Sequence, residues 1–94
     1  MPHCVYIMTN KINTVLYTGY SSILPGRVLN HKDKIVDGFT KQYNVDKLVY
    51  YEAGESREGA LSREKQIKSW SRKKKMELIN SVNPKWEDLF DKII

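Results

Sequence analysis

Two short apolar runs separated by a polar, turn-forming segment constrain this chain more than any other feature. Cys4 to Met8 is apolar with β-branched and aromatic members, which is the pattern of a buried strand. Thr9 to Thr14 (Thr-Asn-Lys-Ile-Asn-Thr) is rich in turn formers, and Val15 to Gly19 reads as a second strand. The pair therefore predicts an antiparallel hairpin with a longer loop. Alternate residues of a strand share a face, so Cys4, Tyr6 and Met8 point one way on the first strand, and Val15, Tyr17 and Gly19 one way on the second. Tyr6 and Tyr17 face the same side if the register permits, and spacing alone leaves the register open.

Ser21-Ser22 offers an N-cap, and Pro25 falls where a first helical turn tolerates it. A helix is expected from about Ile23 to Val36, stopped by Gly38, with a stripe of Leu24, Val28 and Ile35 that also carries His31. Thr40 to Asp46 reads as a connector and Lys47 to Glu52 as a third strand. Ser56 can cap a helix from about Arg57 to Trp70, with Ala60, Leu61 and Ile67 as its apolar face. Ser71 can cap another over Arg72 to Asn80. Asn83-Pro84 reads as N-cap and first position of a last short helix striped by Trp86, Leu89, Phe90 and Ile93. The order β-β-α-β-α-α-α predicts an α/β fold, a small three-stranded antiparallel sheet flanked by helices.

Ninety-four residues suit one domain spanning 1–94. The net charge of +5 favours polyanionic partners, nucleic acid foremost. Cys4 is the single cysteine, which excludes an intrachain disulfide and a thiolate zinc cage and fits a small buried hydrophobe. No segment reaches the ~20 apolar residues of a membrane span, and Met1-Pro2-His3 lacks a charged region leading into a signal-like core. A reduced, cytoplasmic setting is the expectation.

Glu64 stands three residues from both Leu61 and Ile67, so periodicity turns a carboxylate inward. Carboxylates are rarely buried unless paired or metal-bound. An edge position or a lysine partner is the plainer reading. Arg27 and His31 are four apart and so neighbours on one helical face. An arginine there can fork onto phosphate oxygens. Taken singly, Arg27 is as readily a solvated charge, His31 a core histidine, and Tyr6 and Tyr17 core aromatics. Lys65, Lys68, Arg72, Lys73, Lys74 and Lys75 make a basic stretch around Trp70 that could track a phosphate backbone. Lysines at a helix N-terminus oppose the macrodipole, which favours a binding role over a solvated helix end. There is no Walker-type phosphate loop, GxGxxG, CxxC or HExxH, and no second carboxylate is clearly partnered with Glu64.

Together these residues resemble the GIY-YIG nuclease family, and in particular its small stand-alone bacterial, excision-nuclease-like members. The two motifs stand as Cys4-Val5-Tyr6 and Tyr17-Thr18-Gly19, followed by Arg27, His31 and Glu64. The segment from Glu64 to Lys75 is also similar, and the likeness covers about Met1 to Leu89. Cys4, Val5 and Thr18 depart from the motif residues, and the late asparagine of several family members has only Asn80 as a candidate. The resemblance implies a metal-dependent endonuclease acting on DNA more than RNA, with a DNA-repair type of role. Glu64 would hold one Mg²⁺ or Mn²⁺, and Arg27 would stabilise transition-state charge. Tyr6 or Tyr17 would act as base, and His31 would bond a tyrosine hydroxyl or the phosphate. Two other readings are a nucleic-acid-binding module that does not cut, and a cleavage domain targeted by a partner. Trp86, Leu89, Phe90 and Ile93 would then be a protein-docking surface, although a lid on the core explains them better.

Overall fold

The computed structural model describes residues 2–34, 38 and 42–94. Among these, the strands are β1 (His3–Thr9), β2 (Leu16–Ser21) and β3 (Lys47–Gly54). The helices are α1 (Leu24–Lys32), α2 (Arg57–Lys68) and α3 (Arg72–Val82), and a 3-10 turn covers Phe90–Lys92. The expected fold is present: an antiparallel sheet in the order β2-β1-β3 with helices on both sides.

The hairpin closes because Asn10 organises the loop from within. Its Oδ1 accepts from the backbone N–H groups of Thr14 (2.8 Å) and Val15 (3.1 Å), and its Nδ2 donates to Thr14 Oγ1 at 2.6 Å. Asn13 takes the left-handed conformation (φ 60°) that asparagine tolerates. The register left open by spacing pairs Tyr6 with Gly19 and Met8 with Tyr17 on one side, and Tyr6 with Tyr51 on the other. Directly opposed residues share a face, so Tyr6, Tyr17, Gly19 and Tyr51 all lie on one side of the sheet.

That face packs under α1, where Tyr6, Met8, Leu24, Val28, Val45 and Leu48 form a buried cluster. The other face buries Val5, Ile7, Val49 and Tyr50 against Ala60 and Ile67 of α2 and Ile79 of α3.

Helix α1 is shorter than expected. Ser21 Oγ accepts from Ile23 N at 2.9 Å and fixes the approach, while Ile23 occupies the cap position without a side-chain cap. The helix stops at Lys32, before Gly38, because Lys34 turns left-handed (φ 58°) and returns its N–H to His31 O at 3.1 Å. Ile35 and Val36 of the expected stripe, and Thr40 at the head of the expected connector, lie outside the described residues. Ser56 and Ser71 cap α2 and α3, accepting from Gly59 N and Lys74 N. Helix α2 ends at Lys68, short of Trp70. Leu61 is exposed: the buried stripe runs Ala60, Glu64, Ile67, a spacing of four then three, so Glu64 and not Leu61 completes it.

The expected last helix does not form. Asn83 does not cap a helix but inserts its side chain, donating to Val49 O (3.0 Å) and Glu87 O (2.9 Å) and accepting from Glu87 N (3.1 Å). Trp86 is left-handed (φ 53°), which breaks helical continuation. The tail instead runs along the edge of β3, where Leu89 N donates to Leu48 O (2.8 Å) and Leu48 N to Asp88 Oδ1 (3.3 Å). An edge strand left with bare donors and acceptors invites foreign pairing, and this strap satisfies them. Trp86 is buried in the α2–α3 layer, and Leu89, Phe90 and Ile93 cover the α1 layer. These four residues are therefore a lid on the core and do not form a free docking stripe.

Candidate active site

Strand alternation brings Tyr6 and Tyr17 to the α1 face, and helical periodicity sets Arg27 and His31 one turn apart above them. Tyr6 is fully buried and Tyr17 half-buried. Tyr6 OH meets His31 Nε2 at 3.0 Å, and Arg27 Nε donates to the same hydroxyl at 3.4 Å. The rings of Tyr17 and His31 lie 5.2 Å apart, those of Tyr6 and His31 5.8 Å, and those of Tyr6 and Tyr17 6.3 Å. Tyr17 also contributes to the electrostatics of Arg27, so the guanidinium is within reach of both phenols. A Tyr6 oxygen that accepts from Arg27 and keeps its proton donates to His31 Nε2, which assigns the ring proton of a neutral His31 to Nδ1.

Gly19 is what lets this cluster close. A Cβ there would stand 2.6 Å from Tyr6 Cζ and 2.6 Å from its hydroxyl oxygen. The Tyr6 ring thus lies directly across the Gly19 backbone, and the second motif's glycine is a steric requirement of the first motif's tyrosine.

Burial governs the Tyr6 phenol. Tyr6 is pushed up to about 12, chiefly by burial; the Arg27 hydrogen bond opposes that, while the charges of Tyr17 and Glu64 add to it. Arg27 is held above the ordinary arginine value, first by its bond to Tyr6. Tyr6 is therefore a poor proton acceptor near neutrality, and the half-buried Tyr17 is the more accessible of the two.

Glu64 comes from the opposite layer. Helix α2 packs on β1 and β2, and the Glu64 charge still reaches the Tyr6 phenol. Its side chain is 18% exposed, and Oε2 pairs with Lys68 Nζ at 3.1 Å. Glu64 thus has the lysine partner expected of a half-buried carboxylate. Among the described residues no group of three or more His, Cys, Asp or Glu could cage a metal. A lone carboxylate nonetheless suits a hard cation that keeps much of its water and takes other oxygens from a phosphate, as Mg²⁺ does.

The basic stretch is divided by the fold. Lys68 sits on Glu64, and Lys75 is half-buried and held below the usual lysine range, first by burial and then by the charge of Lys68. Arg72 Nη2 donates to Asn13 O at 3.0 Å, tying α3 to the hairpin loop. Lys74 lies 4.3 Å over the Trp70 ring, while Lys65 and Lys73 are exposed. Asn80 is not near the tyrosines: its Oδ1 accepts from Trp86 Nε1 at 2.6 Å and anchors the tail.

A profile of the GIY-YIG catalytic domain matches residues 2–77. The chain belongs to the GIY-YIG family. Among its relatives is a UPF0213 protein of Staphylococcus saprophyticus, 37% identical over 78 residues, covering 83% of this chain and 94% of the relative. A UPF0213 protein of Clostridium perfringens is 37% identical over 84 residues, 89% of each chain. The solution NMR structure of a UPF0213 protein from Bacillus halodurans aligns with a TM-score of 0.59 at 31% identity, covering 94% of this chain and 93% of that one. The family match points to a nuclease-type catalytic domain. No helix among the described residues is long and apolar enough to cross a membrane.

Sequence pattern does not sort Tyr51 from the other aromatics, Tyr43 and Tyr50. Tyr51 stands opposite Tyr6 and shares its face, which the alternation rule finds once the register is known. Sequence reasoning missed the network on the far face, where Tyr50 donates to Glu52 and Glu52 pairs with Arg63 at 3.1 Å. That network stabilises the α2 layer and does not face the tyrosine cluster.

Proposed function

We propose that this GIY-YIG domain is a divalent-metal-dependent endonuclease that hydrolyses phosphodiester bonds in nucleic acid, with single-stranded or structured DNA as the first substrate class. Residues 1–94 would act as one catalytic domain, in a reduced cytoplasmic setting and a DNA-repair type of role. The observation that carries this reading is the buried Tyr6 hydroxyl held by Arg27 and His31, with the Tyr17 ring against the same histidine.

Hydrolysis needs an in-line water, relief of charge on the phosphorus oxygens and help for the leaving 3′-oxygen. Arg27 neutralises the charge that develops on the non-bridging oxygens. Tyr17, half-buried beside the His31 ring, takes the proton of the attacking water. Tyr6 keeps its proton, orients His31 through the buried hydrogen bond, and fixes Arg27 against the sheet. Glu64 would hold one Mg²⁺ or Mn²⁺, which supplies Lewis-acid charge at the leaving oxygen. Of the basic stretch, the exposed Lys65, Lys73 and Lys74 supply positive charge for the flanking phosphates, with Arg72 at the hairpin loop beside them.

The test is cleavage of labelled single-stranded DNA, duplex, flap and single-stranded RNA, each with Mg²⁺, Mn²⁺ or EDTA. Glu64→Gln and Arg27→Ala should each lower cutting by about 10²-fold or more while melting like the parent. Near-parental cutting by either variant refutes the assigned roles. Binding without cutting under every condition makes the domain a nucleic-acid-binding module instead.

A further inference from the structure

Resting on that reading, we propose that Lys68 couples metal binding to nucleic-acid binding, by holding the Glu64 carboxylate until a phosphate draws it away. Lys68 Nζ occupies one oxygen of a carboxylate that is only 18% exposed, while its own side chain is 54% exposed and free to swing outward. An ion arriving at Glu64 must compete with an ammonium already there. No group of three or more His, Cys, Asp or Glu stands among the described residues to outbid it.

The second observation is Lys75, half-buried and within electrostatic reach of Lys68. With Lys75 in reach of Lys68, the ion pair carries a surplus of positive charge that repels a cation and attracts a phosphate. A phosphate oxygen arriving at Lys68 gives it a better partner, since it also offsets the repulsion from Lys75. Glu64 is then released, and the same phosphate brings oxygen ligands that a lone carboxylate lacks. By linkage the coupling is reciprocal: the ion that captures Glu64 frees Lys68 for the strand. The metal is thus recruited together with its substrate.

The test reads metal affinity directly at the protein. Mn²⁺-induced broadening of the backbone amide signals around Glu64 is titrated in ¹⁵N-labelled protein, alone and with a single-stranded phosphorothioate oligonucleotide. In the parent, the oligonucleotide should tighten Mn²⁺ by about fivefold or more, and Mn²⁺ should tighten the oligonucleotide by the same factor. Lys68→Met keeps the apolar stem and should bind Mn²⁺ about threefold more tightly without oligonucleotide, with the coupling factor falling toward one. Lys68→Arg preserves the ion pair and should preserve the coupling. The proposal is overturned if Lys68→Met matches the parent in both Mn²⁺ affinity and coupling, which is the behaviour of a pair that only steadies its helix. Glu64→Gln separates the two failures. If it broadens like the parent, or if no broadening centres on Glu64 even with oligonucleotide, the metal assignment falls and the coupling with it.

Discussion

Replacing Gly19 by alanine puts the close approach of Tyr6 to a quantitative test. The added Cβ would meet Tyr6 Cζ and its hydroxyl oxygen at 2.6 Å each. Non-bonded carbons are comfortable at about 3.5–4.0 Å, so the ring must retreat by about 1 Å. It has nowhere to go, because Tyr6 is 0% exposed and its hydroxyl is bonded to His31 and Arg27. Overpacking costs about 1–3 kcal/mol, and weakening the buried hydroxyl bond costs about 1 more. Alanine's lower unfolded-state entropy returns about 0.4–1 kcal/mol, since no described glycine has a positive φ and the backbone itself accepts a side chain. The net loss is about 1–3.6 kcal/mol, a fall in Tm of roughly 4–29 °C for a domain of this size. Urea denaturation of the parent, Gly19→Ala, Tyr6→Leu and the double variant forms a cycle. Leucine lacks the atoms that lie over Gly19, so in that background Gly19→Ala should be neutral or stabilising. A Gly19→Ala protein within about 0.5 kcal/mol of the parent, or an equal loss in the Tyr6→Leu background, refutes the steric argument.

Two further perturbations probe the burial of Tyr6 and the strap. Tyr6 and Tyr50 are both pushed up to about 12 from the ordinary 10, so the folded state holds these protons more tightly than the unfolded chain. The stability this represents is complete below about pH 10 and is lost as pH rises through about 12, with Tyr6 contributing up to roughly 2–3 kcal/mol of the fall. Urea melts across that range should fall less steeply for Tyr6→Phe; an unchanged slope removes Tyr6 as a cause. Asn83→Ala deprives buried Val49 O of its side-chain donor and releases the turn at Glu87, a loss of about 2–4 kcal/mol. It should also raise amide exchange at Leu89, whose N–H bonds β3. Parental exchange there would mean that the strap is held without Asn83.

Local pattern carried much of this protein. The hairpin, the caps at Ser56 and Ser71, the shared turn of Arg27 and His31, and the inward set of Glu64 all follow from interactions within a few residues. Such signals are written in neighbouring side chains, and chain chemistry alone makes them legible. The same reasoning placed a helix after Asn83-Pro84 and was wrong, because the Asn83 side chain answers to Val49, a strand carbonyl distant in sequence. It extended α1 past Lys32 and put Leu61 on the buried face of α2, where packing chose Glu64.

Only the tertiary structure decided the register that seats Tyr6 across Gly19, the meeting of Arg27 and His31 on the Tyr6 hydroxyl, and the contrast between a buried Tyr6 and a half-buried Tyr17. It alone brought the charge of Glu64, carried on the opposite layer, to the Tyr6 hydroxyl, and gave Lys68 rather than another lysine to that carboxylate. The physical reason is range. Periodicity and capping act over one or two turns of chain, whereas a strand register and the desolvation of a phenol depend on which distant surfaces exclude water from one another.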